Sequence, residues 1–170
     1  FDNHAYGDMR TYAAKSTDLD KTWQCFSSPE FKGFAHKIKE DIINKNLLFL
    51  GTENGLYVSI DGGQRWINYN ANIPNYCLVR DIQIHPRTHD LVLATHGRGI
   101  LIVDDISPLR LIDQQLLQSS IQILPSRPTL NTMGRFGAAY PFAGGYAGPN
   151  ASEEVVINYY LKDRVTSGDV

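Results

Sequence analysis

An all-β chain made of repeated four-stranded units is what the 170-residue sequence predicts, on three observations. The first is an internal repeat. Ser16-Thr17-Asp18-Leu19-Asp20-Lys21-Thr22-Trp23 and Ser59-Ile60-Asp61-Gly62-Gly63-Gln64-Arg65-Trp66 hold Ser, Asp and Trp at the same offsets, and Trp66 follows Trp23 by 43 positions. The second is that the flanking apolar segments repeat too. Leu48-Phe49-Leu50-Gly51-Thr52 returns as Val92-Leu93-Ala94-Thr95, and Gly55-Leu56-Tyr57-Val58 as Gly99-Ile100-Leu101-Ile102, at spacings of 43 or 44. The third is the shortness of these runs, about four or five residues between Gly, Pro, Asn and Asp breakers, which suits strands. A period of about 40 to 45 residues holding several short strands is that of a propeller blade. The predicted architecture is therefore a partial β-propeller of about two to two and a half four-stranded blades.

Residues 1–106 carry the repeat. Val79-Arg80-Asp81-Ile82-Gln83-Ile84 reads as a strand, His85-Pro86-Arg87-Thr88-His89-Asp90 as a turn, and Leu91 to Thr95 as a second strand. Gly97-Arg98-Gly99 then turns the chain into Ile100-Leu101-Ile102-Val103. Uniformly apolar runs of this length suit strands covered on both faces, as between neighbouring blades. After Asp105 the repeat stops. Residues 107–150 read as a short helix and a linker: Ser107 caps, Pro108 sits in the first turn, and Leu109, Leu111, Ile112, Leu116 and Leu117 follow. Pro125, Pro128, Pro141, Pro149 and the run Gly144-Gly145-Tyr146-Ala147-Gly148 give the linker its composition. Residues 151–170 read as the start of a β-sandwich-like module, with Val155 to Leu161 alternating as a strand. Its hairpin partner is expected beyond Val170, and both chain ends are expected to cut through structure.

Composition narrows the function classes. Lys and Arg number 16 against 18 Asp and Glu, a formal charge of −2, with no basic run, so the footprint of a nucleic-acid binder is missing. No stretch approaches the roughly 20 apolar residues of a membrane-spanning helix. Cys25 and Cys77 make neither a disulfide framework nor a zinc spacing and are expected to be buried or partly buried thiols. No cofactor or metal site is expected; His85 and His89 read as turn residues.

The segment Ser59 to Trp66 matches S-x-D-x-G-x-x-W, the Asp-box (BNR repeat) of sialidases, propeller-type xyloglucanases and sortilin-like propellers. In the earlier copy, Ser16, Asp18 and Trp23 keep the spacing, but Asp20 stands where Gly is expected, which leaves its turn geometry open. Together with Gly51 to Ser59, Val79 to Pro86, Thr95 to Ile100 and Asp104 to Leu109, the chain resembles the last blades of a sortilin-like, Asp-box-containing "glycosyl hydrolase" family of bacteria. The resemblance covers residues 8 to 112, and weakly Val155 to Asp169. It implies that Ser16, Asp18, Trp23, Ser59, Asp61, Gly63 and Trp66 are structural, and it favours an extracellular or periplasmic location. It also implies that the remaining blades, in the same parent chain or a partner, complete the structure.

In that topology the turns opposite the Asp-boxes form the binding face. His96 and Arg98 then approach Arg80 and Asp81, and His4, Asp8 and Arg10 reach the same face from the preceding blade. An Arg and His group holds a carboxylate or a sugar hydroxyl. The competing reading is a turn whose Arg98 pairs with Asp104 or Asp81. Three functions stay open: a scaffold and recognition surface for glycan or protein, part of a glycoside hydrolase, and a sortilin-like peptide-binding propeller. No carboxylate pair suited to glycoside hydrolysis is nominated.

Overall fold

A computed structural model describes residues 4–26, 28–129 and 154–163. The described residues are all-β, in four antiparallel sheets, none of them closed. The first sheet pairs β1 (Ala13–Lys15) with β2 (Gln24–Phe26) across the Ser16–Trp23 turn. The second is a meander in sequence order: β3 (Ala35–Glu40), β4 (Leu48–Thr52), β5 (Gly55–Ser59) and β6 (Ile67–Asn68). The third, β7 (Val79–Ile84), β8 (Leu91–Thr95) and β9 (Ile100–Val103), repeats the first three strands of that meander.

The second sheet lies between the first and the third, and the pleat explains how. Successive side chains of a strand point to opposite faces. Leu48, Leu50 and Tyr57 accordingly join Phe26 and Trp66 in one buried cluster, with Ala13, Phe31 and Ala35 against it. Leu47, Phe49, Leu56 and Val58 enter the other cluster, with Val79, Ile82, Ile84, Leu91 and Leu93 of the third sheet. Every residue of β4 and β5 is buried, so the expectation of two-sided cover holds there. It fails for β9, where Ile100 is 70% and Ile102 60% exposed. Their counterparts one repeat earlier, Leu56 and Val58, are covered only because a further sheet lies on that face.

Gly51 sets the spacing between the second and third sheets. A Cβ there would meet the Val79 carbonyl oxygen at 2.7 Å and its Cγ1 at 2.8 Å, so only a glycine lets β7 approach β4 this closely.

Downstream of β9 the structure departs from the sequence reading. The expected helix is two single-turn 3₁₀ segments, Ser107–Leu111 and Leu116–Gln118. Ser107 lies inside the first, Ile106 stands at its cap without a side-chain bond, and Ile112 is already extended. The segment folds back instead. Leu109 packs on the main core, and Arg110 makes a buried bidentate pair with Asp41, 2.9 Å for each bond, in the β3–β4 connection. Asp41 also accepts from the backbone N–H groups of Ile43 (3.0 Å) and Asn44 (2.8 Å), and the Asn44 amide donates to the Arg110 carbonyl. Burial pushes the Asp41 carboxyl up, but these donors outweigh it and hold it below the usual carboxylate range.

Within the stretch read as linker, Ile121–Leu124 forms a strand, β10, paired antiparallel with β11 (Asn158–Leu161). The strand expected over Val155 to Leu161 is thus shorter, and among the described residues it pairs with the upstream β10. At four residues β10 is too short for its alternation to stand out in the sequence, and Ile121 and Ile123 stand exposed. Arg127 then ties this region to the third sheet: its guanidinium meets Asp90 at 2.9 Å and Asp104 at 3.9 Å, and its N–H donates to Asp105 at 2.7 Å. Pro141, Pro149 and the glycines from Gly144 to Gly148 lie outside the described residues, as does the turn at Ser167 to Asp169.

Candidate functional site

Two ends of the stacked sheets differ in chemistry. At one end lie the two S-x-D turns, which build the same network twice. In the second copy, the Ser59 hydroxyl donates to Asp61 Oδ1 (2.9 Å) and accepts from the Gly63 N–H (2.9 Å). Asp61 also accepts from the N–H groups of Gln64 (3.0 Å) and Arg65 (2.9 Å) and from Arg65 Nε (2.9 Å). In the first copy, Ser16 donates to Asp18 and accepts from the Asp20 N–H, while Thr22 supplies both the N–H and, through its hydroxyl, the side-chain donor. Burial pushes Asp61 up, but the Arg65 and Ser59 donors outweigh it; Thr22 pulls Asp18 down. Both carboxyls are consumed by turn geometry.

The two turns differ at one point. Gly62 and Gly63 take φ of 72° and 95°, and Leu19 and Asp20 at the same offsets take 57° and 66°. Asp20 therefore keeps the left-handed turn despite its Cβ. Trp66 is buried, its Nε1 donating to the Gly63 carbonyl (3.0 Å), edge-on to Phe26 and Phe31 at 5.6 Å each. Trp23 is 58% exposed, with no sheet in front of it among the described residues.

The opposite end is a rim where β3 and β7 begin and where the β4–β5 and β8–β9 turns lie. Each of those first strands opens on a bulge at the same place. Pairing shifts between Ala35 and Lys37 against β4, and between Val79 and Asp81 against β8, so His36 and Arg80 are the inserted residues. A bulge re-aims the side chain it carries. His36 Nε2 meets Glu53 Oε1 at 2.7 Å, and its ring lies edge-on to Phe34 (4.7 Å), which stacks on His4 (4.4 Å). Arg80 is exposed, and its side chain makes no bond to a described residue.

The candidates fall into two groups. His4, Asp8 and Arg10 lie before β1, where Arg10 grips Asp8 with two bonds of 2.9 and 2.7 Å and Tyr12 donates to Asp8 at 2.6 Å. The Arg10 and Tyr12 donors hold the Asp8 carboxyl well below the usual carboxylate range. Beside this pair, Met9, Arg10, Thr11, Ser28 and Phe31 line an open cleft. Arg80, His96 and Arg98 form the second group. The His96 N–H donates to the Leu78 carbonyl (3.0 Å), which sets the β8–β9 turn against the start of β7. Thr95 closes that turn on the Gly99 carbonyl through N–H (3.1 Å) and hydroxyl (2.6 Å). His96 and Arg98 are exposed.

Arg98 pairs with neither Asp81 nor Asp104. Asp81 lies 3.4 Å from Lys37 and accepts from Gln83 (3.2 Å), and Asp104 faces Arg127. Although Lys37 is near, Asp81 Oδ1 is buried and accepts no aligned hydrogen bond, so this is a loose ion pair. Cys25 is exposed, a correction to the expected buried thiol, because β2 is an outer strand; Cys77 is buried. His85 accepts from the Thr88 N–H (3.1 Å), and His89 takes φ of 59°, both within their turn. Sequence reasoning missed His36, Glu53, Lys37 and the Asp41–Arg110 pair, since nothing in a single sequence marks a bulge or a contact across 69 positions. No group of three or more His, Cys, Asp or Glu able to hold a metal occurs among the described residues, and none of their helices is long and apolar enough to cross a membrane.

These features define an all-β protein of stacked antiparallel sheets with a polar rim. No protein-family model matches the chain, and no curated protein matches it.

Proposed function

We propose that the chain is a section of an Asp-box β-propeller that serves as a scaffold and glycan-recognition surface, completed by further sheets on its open faces. The observation that carries this reading is the repeated bulge, which places His36 and Arg80 at equivalent points on one rim while the S-x-D turns brace the other end. Recognition rather than hydrolysis is the reading because the rim carboxylates Asp8 and Glu53 are held at 2.7 Å by Arg10 and His36, and Asp81 is loosely paired with Lys37 at 3.4 Å. A glycan array probed with the full chain, alongside a peptide library, tests it. Retention of glycans without their cleavage is expected. Retention of peptides alone would contradict it, and turnover of a bound glycan would replace it with the hydrolase reading.

A further inference from the structure

The rim at the start of the third sheet combines two exposed guanidinium groups, neither paired with a described carboxylate, with an exposed aromatic ring on a strained backbone. Arg80 projects from a bulge, and Arg98 from the β8–β9 turn between Gly97 and Gly99, both with positive φ. Neither guanidinium reaches a described carboxylate, since Asp81 is engaged by Lys37 and Asp104 by Arg127. The strand register brings the two segments that carry them together: Val79 pairs with Thr95, and the His96 N–H bonds the Leu78 carbonyl. Two residues before Leu78, Tyr76 is 80% exposed and holds φ of 56°. A non-glycine residue in that region is strained and persists where the surroundings fix it. Here the buried Cys77 and Val79 on one side and Pro74 on the other fix the backbone, leaving the ring outside.

We propose that Tyr76, Arg80, His96 and Arg98 form a binding site for an acidic polysaccharide, one bearing uronate carboxylates. This rests on the glycan-recognition reading above. Guanidinium groups take carboxylates through paired N–H donors, and the Tyr76 ring offers an apolar face to a sugar ring. All four side chains are exposed, which fits a polymer strand and not a small enclosed ligand.

The test measures binding of the full chain to polygalacturonate, to its neutral methyl ester and to polyglutamate. Polygalacturonate is expected to bind about tenfold or more tighter than the ester, with the preference shrinking as salt rises. The double variant Arg80→Gln, Arg98→Gln is expected to lose that preference with an unchanged melting temperature, because both side chains are exposed and neither makes a bond to a described residue. Tyr76→Gly separates binding from folding: it relieves the positive φ, so it raises the melting temperature while weakening polygalacturonate binding. A merely structural tyrosine would not move the two readouts in opposite directions. Equal affinity for acid and ester, or equal affinity for polyglutamate, would overturn the acidic-glycan assignment while leaving glycan recognition standing in the first case. Binding to neither polysaccharide, with no glycan retained on the array, would overturn both.

Discussion

At the scale of single residues, the left-handed turn positions carry the clearest physics. Asp20 was legible as a departure from the S-x-D-x-G pattern, but its φ of 66° was not, because a sequence shows a missing glycine and not what the chain does about it. Asp tolerates that region better than a branched or apolar residue, and the Ser16 hydroxyl accepting from its N–H holds it there. Leu19 beside it, at φ of 57°, has no such tolerance. Leu19→Gly is therefore expected to raise stability by about 1 kcal/mol, and Asp20→Gly by less, in urea denaturation. The converse change in the second copy is severe. Gly63→Ala meets the Phe26 ring as well as a φ of 95°, and a loss of about 2–4 kcal/mol is expected from the same measurement.

At the scale of elements, the legible part was the repeat and the hidden part was whatever crosses between repeats. Strands β4, β5, β8 and β9 announce themselves through short apolar runs, β7 through Val79, Ile82 and Ile84 among polar residues, and the pleat assigns their faces. Nothing local announces β10, whose partner β11 lies beyond a long intervening segment, or the Arg110–Asp41 pair that pins the post-repeat segment to the second sheet. Removing one member of such a buried pair leaves an unpaired charge. Arg110→Met is expected to cost about 3–5 kcal/mol, and the double change with Asp41→Leu to recover most of it, a comparison a double-mutant cycle makes directly. The carboxyls of Asp41, Asp61 and Asp105 all sit below their ordinary value of 3.8 in the fold. Below that pH the unfolded chain takes up protons that the folded one refuses, so stability is level at neutral pH and falls as acid passes through the ordinary and then the depressed values. Denaturation midpoints measured between neutral and strongly acidic pH are expected to show this fall, and Asp61→Asn is expected to make it shallower.

At the scale of the whole molecule, the outer sheets leave apolar faces uncovered. The second sheet is buried on both faces, whereas the first leaves Trp23 and the third leaves Ile100 and Ile102 in water. These are the positions that, one repeat along or back, contact a neighbouring sheet: Trp66 on Phe26, and Leu56 and Val58 on the third sheet. Stacked repeats share their core with their neighbours, and exposed apolar faces of this kind mark contact surfaces. Sedimentation equilibrium of the full chain, over a range of concentrations, tests this most directly. Reversible association is predicted, reduced by Ile100→Lys with Ile102→Lys. A chain that stays monomeric at every concentration and unfolds in one cooperative step would contradict the account, because its open faces would then need no further sheet.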